Sequence, residues 1–289
     1  MTPLATTTLP FTTGEPASFA GLALVPLFPA AEPSLEYVGL DEAVARGLAV
    51  TELDEAGTVG TLLVSNPLDA SVLVYEGEEL AGAKQNRILD RPVLVPAQSR
   101  TPVPVTCVER GRWHYRSARL EPAPRAAYPE LRLARATGGQ AAAWASVSAK
   151  AARLDALSPT EAAGEIYASR APALEAYLAK LPRREGQCGA VVCVGGRVVC
   201  LDYVSRSEVY AGLYAKLLRG YALDALERPA DAPVPLDRVE RLLARLARAP
   251  RRPVELVGLG QASALDSRRL AGVELAVAGE VVALAAFPL

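Results

Sequence analysis

The chain is poor in histidine, cysteine and aromatic residues, and each shortage argues against a class of site. Its 289 residues include one histidine, His114, and four cysteines that form no C-x-x-C pair. A zinc site needs several such ligands at close spacing, so no metal site of this kind is expected. Aromatic residues make up 6% of the chain against 51% hydrophobic residues. The core should therefore consist mainly of Ala, Val and Leu.

The sequence also lacks a large net charge, a long apolar run and a targeting segment. Its 31 basic and 32 acidic side chains are spread along the chain, a pattern that predicts no binding to nucleic acid or to a membrane surface. No run of about eighteen apolar residues occurs, and residues 1–14 have neither region of a signal peptide. We therefore expect a cytoplasmic protein without a membrane partner.

Strand-like segments dominate the first 120 residues. Apolar runs separated by turn signals such as Asn66-Pro67 occur at residues 22–28, 61–65, 71–75, 91–95 and 102–108. Only one short helix, at about residues 41–46, interrupts them. The pattern predicts a β-rich half at residues 1–120, built as a twisted antiparallel sheet or a sandwich.

Helices and strands are mixed in the remainder, which predicts an α+β fold for the whole chain. Residues 121–139 lose periodicity and are interpreted as a connecting segment. Residues 140–289 are expected to form an α+β half that packs on the first as one unit. Helices are predicted at 140–154, 158–181, 205–221 and 236–247, and strands at 190–201, 254–259, 273–277 and 281–287. The 190–201 hairpin is the strongest signal, because Gly195-Gly196 suits a tight turn.

The densest polar cluster lies at residues 76–87, between two predicted strands. Lys84, Gln85, Asn86 and Arg87 follow Glu79 after a short apolar stretch that contains Gly82. Such side chains suit a phosphate, a carboxylate or a ribose, although the segment lacks the G-K-[ST] ending of a P-loop. The alternative is a solvated hairpin connection in which the acids and bases pair with one another.

A second cluster, residues 105–114, follows a predicted strand. Cys107 and Glu109 share a face of that strand by period-2 alternation. If this face is buried, Glu109 needs a cationic partner such as Arg87, Arg112 or Lys84. Glu109 is then either a general acid or base or half of a structural ion pair, and Trp113 either stacks on a base or simply packs.

A third constellation joins Asp202, at the end of the hairpin, to Lys216 on the helix that follows. Lys216 lies near the apolar stripe of that helix, where a lysine either extends its amine to solvent or meets a carboxylate. Oxygen ligands for magnesium would require Glu78, Glu79, Glu109 and Asp202 to converge. Because these residues are far apart in the sequence, no metal ligand is assigned, and no motif identifies a cofactor.

Two motifs resemble those of a bacterial and archaeal family, the ADP-ribosylglycohydrolase- and rhodanese-phosphatase-associated protein domain. They are GEEL-AGAKQNR at residues 77–87 and CVE with GRW at residues 107–113. The similarity continues through Gln140, Trp144, residues 186–190, Asp202 and residues 216–224, and so covers nearly the whole chain. The family is named for genomic association with enzymes that handle ADP-ribose.

The resemblance implies a ligand that is an ADP-ribose-like nucleotide or a sugar phosphate, and a functional partnership with ADP-ribose-handling enzymes in NAD metabolism. Glu79 or Glu109 is the expected acid or base. The ligand-binding residues are expected to be Lys84, Gln85, Asn86, Arg87, Arg112, Trp113, Asp202 and Lys216. The rival hypothesis is a non-catalytic scaffold whose polar motifs are structural, and a metal-dependent hydrolase ranks third.

Overall fold

The computed structural model describes residues 8–230 and 232–289, and the α+β fold is confirmed. The first seven residues of the predicted N-terminal half lie outside this range. The strands are β1 (Phe11–Thr13), β2 (Ala17–Phe19), β3 (Leu22–Pro29), β4 (Val38–Gly39), β5 (Ala49–Glu52), β6 (Thr61–Asn66), β7 (Val72–Val74), β8 (Glu78–Gly82), β9 (Arg87–Leu89), β10 (Val93–Val95), β11 (Ser99–Cys107), β12 (Leu120–Ala126), β13 (Gly189–Val194), β14 (Arg197–Val204), β15 (Arg251–Val254), β16 (Gln261–Ser267), β17 (Leu270–Val277) and β18 (Glu280–Pro288). The helices are α1 (Leu40–Ala45), α2 (Pro129–Arg153), α3 (Ala163–Ser169), α4 (Ala171–Lys180), α5 (Ser207–Ala225) and α6 (Leu236–Arg248).

Six strands of the N-terminal half close into an antiparallel barrel, in the order β11-β6-β5-β12-β8-β9. Its core is formed by branched aliphatic side chains such as Leu62, Val64, Val103 and Val105, because alternate residues of each strand point inward. β10, β7 and β4 form a small sheet beside it, in which β4 pairs parallel to β7. The expected β-rich half is therefore mainly a closed barrel, a closure that the strand pattern did not predict.

A large antiparallel sheet combines strands from both ends of the chain, in the order β1-β3-β13-β14-β18-β17-β16-β15, with β2 also paired to β3. The predicted hairpin is confirmed: β13 and β14 are joined at Gly195 and Gly196, whose φ angles are 54° and 71°. Alternate residues of β13 face two separate cores, with Val192 on one side and Val191 on the other.

Helices cover both faces of this sheet. On one face α5 packs Leu213, Leu217 and Tyr221 into the largest core. On the other face α6 buries Val239, Leu242 and Leu246, whose spacing of three and four residues makes a single apolar stripe. The predicted helices at 205–221 and 236–247 are thus confirmed in position. Ser205 and Glu208 have the spacing of a capping box, but no side-chain hydrogen bond caps the start of α5.

The structure differs from the sequence prediction most between residues 121 and 181. The predicted connecting segment contains β12 and the first turns of α2, and Gly139, at φ 66°, separates two helical stretches within α2. The predicted helix at 158–181 begins only at Ala163 and is interrupted at Arg170. Ser158 accepts a hydrogen bond from the Ala162 N–H at 2.7 Å in a turn before α3, so the predicted start of the helix is a turn.

The C-terminal strands also depart from the prediction in one place. β17 and β18 match the expected strands, but residues 255–260 form a connection rather than a strand, because Gly258 and Gly260 adopt φ angles of 92° and 98°. The Leu259 N–H donates to the Leu94 carbonyl at 2.8 Å, which ties this connection to β10. Among the described residues, no helix has the length and apolar character needed to cross a membrane.

Candidate functional site

Seven of the sequence-predicted site residues meet at one end of the barrel. β9 and β11 are antiparallel, with Arg87 opposite Cys107, so the segment before β9 lies beside the segment after β11. The Val108 N–H donates to the Asn86 carbonyl at 3.1 Å and continues this pairing. Together with Glu52, these residues form the barrel-end cluster: Glu52, Lys84, Gln85, Asn86, Arg87, Glu109, Arg112 and Trp113.

Glu109 is buried, and both of its carboxylate oxygens are occupied. Oε2 accepts hydrogen bonds from Arg112 Nη2 at 2.6 Å and from the Asn86 N–H at 3.1 Å, and Oε1 accepts one from Thr160 Oγ1 at 2.9 Å. Burial alone would raise the pKa of Glu109, but the hydrogen bonds from Arg112 and Thr160 lower it below the ordinary value. Glu109 is therefore held as a carboxylate, with Arg112 as the partner that the sequence required.

Arg112 ties this carboxylate to the backbone of the barrel. Its Nη1 donates to the carbonyls of Ala83 at 2.6 Å and His114 at 3.0 Å, and its Nη2 donates to the Gly82 carbonyl at 3.2 Å. A guanidinium presents its donors in a rigid planar fork, so these bonds fix the conformation of residues 82–86. Arg112 and Glu109 together support the segment that carries Lys84 and Arg87.

Lys84 and Arg87 hold the exposed loop between β5 and β6, residues 53–60, over the cluster. Lys84 Nζ donates to the carbonyls of Glu55 at 2.6 Å and Ala56 at 2.5 Å, and Arg87 Nε donates to the Val59 carbonyl at 3.0 Å. The Trp113 ring lies 5.3 Å from Lys84 Nζ and 5.6 Å from the Arg87 guanidinium carbon, within the range of cation–π attraction. Carbonyl oxygens of a single loop thus compensate part of the positive charge of Lys84 and Arg87.

Arg87 has both terminal nitrogens buried without a hydrogen-bond partner. The side chain is fully buried, and burial lowers its pKa from the ordinary arginine value. Of nine buried side-chain atoms without such a partner among the described residues, five belong to the barrel-end cluster. They are Arg87 Nη1 and Nη2, Arg112 Nε, Gln85 Oε1 and Glu52 Oε2. Unpaired polar atoms of this kind are costly in a protein interior.

Glu79 and Lys216 lie away from this cluster. Glu79 accepts two hydrogen bonds from Arg125, at 2.7 and 2.6 Å, on the β8–β12 side of the barrel. Lys216 donates to Asp41 at 2.5 Å and to Glu78 at 2.9 Å, where α5 meets the barrel. Lys216 therefore meets carboxylates rather than solvent, and it does not contact Asp202.

Asp202 belongs to a second buried group, the Arg132 network, defined here as Arg132, Glu76, Asp202, Tyr75 and Tyr221. Arg132 donates to Asp202 at 2.6 and 2.9 Å and to Glu76 at 2.5 and 3.0 Å. The hydroxyls of Tyr75 and Tyr221 donate to Asp202 at 2.7 and 2.5 Å. Burial would raise the pKa of Asp202, but Arg132 and the two hydroxyls lower it.

The carboxylates considered for magnesium do not converge. Glu78, Glu79, Glu109 and Asp202 each pair with a different cation, so their positions do not support a shared metal site. In the described part of the chain, Glu130, Asp224 and Glu227 do lie within 4.8 Å of one another. Lys150 Nζ pairs with all three, which makes this group an ion-pair cluster.

The cysteines do not provide a reactive thiol at the cluster. All four are free and buried, and burial raises the pKa of Cys107, the one closest to the site. Cys107 contributes its backbone instead: its N–H donates to Gln140 Oε1 at 2.9 Å, and its carbonyl accepts from Gln140 Nε2 at 2.8 Å. Gln140 thereby fixes the end of β11 to α2.

Sequence reasoning missed Glu52, Thr160 and Arg132. Glu52 accepts a hydrogen bond from the Lys84 N–H at 3.1 Å, and Thr160 reaches Glu109 from a turn 51 residues further on. Neither residue stands in a motif, so only the fold brings it to the site. Arg132 lies in an Arg- and Ala-rich stretch that does not distinguish it from the partly buried Arg125 and Arg135.

Comparison with known protein families identifies a match over most of the chain. Residues 11–287 fit the sequence model of the ARG and Rhodanese-Phosphatase-superfamily-associated Protein domain. No curated protein and no solved structure shows significant similarity.

Proposed function

The chain belongs to the ARG and Rhodanese-Phosphatase-superfamily-associated Protein family, and from this premise we propose that it binds an ADP-ribose-like nucleotide at the barrel-end cluster. The observation that carries the proposal is Arg87, whose two terminal nitrogens are buried and have no hydrogen-bond partner. Because a guanidinium binds phosphate through two parallel hydrogen bonds, these nitrogens suit one phosphate of such a ligand.

The loop at residues 53–60 supports the same assignment. Its carbonyl oxygens at Glu55, Ala56 and Val59 accept hydrogen bonds from Lys84 and Arg87, and a carbonyl oxygen carries only part of the negative charge of a phosphate oxygen. A phosphorylated ligand that displaces the loop replaces these partial charges with full ones. The loop then acts as a cover over the site and moves when the nucleotide enters.

Two aromatic rings stand where a base would lie. Trp113 and Tyr115 are about half exposed, at 45% and 49%, and both rings face Lys84 Nζ at 5.3 and 5.0 Å. Large exposed aromatic side chains next to buried cations suit a ligand that has a planar base and a charged tail. Trp113 therefore takes the base-stacking role, and Lys84 and Arg87 take the phosphates.

Asn86, Gln85 and Glu109 have supporting roles in this proposal. Both carboxylate oxygens of Glu109 accept hydrogen bonds, and its pKa is lowered from the ordinary value. Its role in the proposal is therefore to position Arg112 and residues 82–86. Gln85 Oε1 has no partner and is free to accept a ribose hydroxyl. For Glu79 or Glu109 to serve as an acid or base, the hydrogen bonds that now hold these carboxylates would have to break first. A cytoplasmic location near ADP-ribose-handling enzymes completes the proposal, and the four free cysteines support it.

The test is thermal unfolding with the nucleotides ADP-ribose and NAD, for the parent chain and Arg87→Met. A ligand at ~100 times its dissociation constant adds about 2.7 kcal/mol, which raises the unfolding midpoint of the parent by several degrees. Arg87→Met should lose this increase. Arg100→Met is the matched control, because Arg100 is an exposed arginine at the opposite end of β11. It should keep the full increase.

The rival function, a scaffold without a ligand, is favoured by the closed hydrogen bonding of Glu109 and Arg112. It predicts no midpoint increase with any compound in any of the three proteins. If a nucleotide raises the unfolding midpoint of Arg87→Met as much as that of the parent, the ligand binds elsewhere and Arg87 is not a binding residue. An increase that both arginine variants lose equally would indicate a general charge effect rather than a site.

A further inference from the structure

A cavity of about 450 Å³ lies outside the barrel, where the β9–β10 turn and α2 face strands β15 to β18. The register places Arg252, Ala264 and Val273 in one row across three neighbouring strands. Alternate residues of a strand face the same side, so this row lines one wall of the cavity. The small side chain of Ala264 in the middle of the row leaves the space open. The volume falls within the range that small-molecule sites occupy.

Three arginines line this cavity, and none of their nitrogens lies closer than 3.5 Å to a carboxylate oxygen of the described residues. Arg135 lies 3.5 Å from Glu76 and 3.9 Å from Asp90, beyond good hydrogen-bond distance, and its buried Nε has no hydrogen-bond partner. Arg91 donates to the Glu255 carbonyl at 2.7 Å, and Arg252 lies 3.8 Å from the exposed Asp266. Their guanidinium groups are therefore available to an oxyanion, in contrast to Arg132 nearby.

The same cavity carries carboxylates that suit hydroxyl donors. Asp90 Oδ1 accepts a hydrogen bond from Thr106 at 2.6 Å, and burial raises the pKa of Asp90 above its ordinary value. Glu76 is neutralised by Arg132 through Oε2, which leaves Oε1 directed towards Arg135. Because both acidic and basic side chains line the cavity, a simple anion does not match it. A ligand that joins an oxyanion to several hydroxyl groups does.

Apolar side chains complete the lining. Phe287 is buried, and it contributes to the cavity together with Val273 and Val254. Ligand pockets typically combine such apolar surface with a few convergent polar groups. The carbon face of a sugar ring has the size and character to lie against these residues.

We propose that this cavity is a second binding site, separate from the barrel-end cluster, and that it takes a small phosphorylated sugar. Arg135, Arg91 and Arg252 bind the phosphate. Asp90 and Glu76 accept hydroxyl hydrogen bonds, and the sugar ring packs on the wall formed by Ala264, Val273 and Phe287.

The test is calorimetric titration with ribose 5-phosphate, inorganic phosphate and ribose. It is carried out on the parent chain and in the Arg87→Met background, in which the barrel-end cluster lacks its proposed phosphate-binding group. Ribose 5-phosphate should bind in both, and more tightly than either fragment. Adding Arg135→Gln should weaken ribose 5-phosphate binding by about tenfold or more, through loss of charge-assisted hydrogen bonds.

Ala264→Leu provides an independent variant that changes no charge. It fills the space for the sugar ring, so it should weaken ribose 5-phosphate binding while inorganic phosphate binding changes little. Arg241→Gln, on the exposed face of α6, controls for the loss of one positive charge and should leave both affinities unchanged.

Three results would overturn the proposal. The first is no binding of ribose 5-phosphate in either background, and the second is binding that neither Arg135→Gln nor Ala264→Leu weakens. The third is binding in the parent that disappears in Arg87→Met alone, which would assign the sugar phosphate to the barrel end and leave the proposed function intact. Loss of nucleotide binding at the barrel end with retained ribose 5-phosphate binding would support the cavity independently.

Discussion

The Arg132 network and the barrel-end cluster both bury charged side chains, but they differ in how completely those charges are paired. Arg132 donates to two carboxylates, and Asp202 receives five hydrogen bonds, two of them from tyrosines and one from the Cys200 thiol. At the barrel end, Arg87 keeps two buried donors without a hydrogen-bond partner. Saturation of every group is what a structural network requires. Unpaired groups in an otherwise well-paired protein indicate a position kept for a ligand.

The completeness of charge pairing also differs between two halves of the barrel-end cluster. Glu109 and Arg112 are paired as closely as the Arg132 network, at 2.6 Å and with both side chains 4% exposed. Lys84 and Arg87 depend on the carbonyls of an exposed loop. Substitutions at Glu109 and Arg112, the supporting half of the cluster, should therefore destabilise the fold. Substitutions at Lys84 and Arg87, the half beneath the loop, should not.

The largest effect is expected from Arg132→Met. Removing this guanidinium leaves Glu76 and Asp202 as buried carboxylates without a cation, so unfolding should cost about 3–5 kcal/mol less than in the parent. Urea unfolding measures the difference. Arg241→Met, which breaks an exposed pair with Asp237 on α6, is the control and should change stability by about 0–1 kcal/mol. Equal effects of the two variants would remove the structural role of the network.

The contribution of Asp202 should depend on pH in a defined direction. Its folded-state pKa is lowered, so the stability that its carboxylate adds is present above the unfolded-state value of about 3.9 and is lost as the pH falls through the folded-state pKa. Asp202→Asn should therefore differ most from the parent at neutral pH and less under acid conditions. Urea unfolding across this range tests the sign. A difference that grows on acidification would contradict a salt-bridged Asp202.

Glu109→Gln should have a smaller effect. The amide keeps one acceptor for Thr160 but removes the negative charge that Arg112 and the Asn86 N–H share. Hydrogen bonds to charged groups contribute about 1.5–3 kcal/mol each, so a loss of that order is expected in urea unfolding. Thr160→Val, which removes only the neutral donor to Oε1, should cost less. If Glu109→Gln proves as stable as the parent, Glu109 does not stabilise the barrel-end cluster.

The sequence predicted this supporting half well and the Arg132 network poorly, for a physical reason. Glu109 and Arg112 are three residues apart at the end of a predicted strand, so local spacing was enough to name Arg112 as a possible partner of Glu109. β9, which brings Lys84–Arg87 beside them, was not among the predicted strands. Asp202 binds Arg132 from 70 residues away. That contact depends on α2, which begins in the segment interpreted as a connection, and on packing between layers that no local pattern encodes.

Closure of the barrel escaped prediction for a related reason. It requires β12 to pair with both β5 and β8. β12 contains Pro122 and Pro124, which lack a backbone N–H donor and are unusual in strands, so the sequence pattern does not predict a strand there. The register also shifts between Pro122 and Ala126. By contrast, the Gly195-Gly196 hairpin was predictable, because its turn depends only on residues within it.

Gly57→Ala tests whether the loop at 53–60 competes with the ligand. Gly57 has φ 74°, and an added Cβ would lie 3.0 Å from Lys84 Cδ, so the covering conformation should lose about 1–2 kcal/mol. Hydrogen exchange should then accelerate at residues 53–60 only. Because a weaker cover leaves the site open more often, nucleotide affinity should rise by about tenfold.

Gly60→Ala is the matched control in the same loop, because a Cβ at Gly60 meets nothing within 4 Å. It should leave both hydrogen exchange and nucleotide affinity near the parent values. A Gly57→Ala protein with faster exchange but lower affinity would mean that the loop contributes to the site instead of covering it.

The smallest change in stability, and the sharpest contrast with Arg132→Met, is expected from Arg87→Met. The substitution removes one hydrogen bond to Val59 and the contact with Trp113, but it also removes two buried donors that have no hydrogen-bond partner. These terms oppose each other, so the free energy of unfolding should stay within about 1 kcal/mol of the parent or increase. Urea unfolding of the two arginine variants side by side measures the contrast.

Arg132 and Arg87 are both fully buried arginines, at 0% exposure, so burial alone predicts the same loss for both substitutions. Only the pairing of their nitrogens distinguishes them. A loss of about 3–5 kcal/mol in Arg87→Met would show that its terminal nitrogens stabilise the fold in the absence of a ligand, and the argument that an unpaired guanidinium marks a binding site would fail here. A stable Arg87→Met protein that no longer responds to ADP-ribose would assign those nitrogens to the ligand.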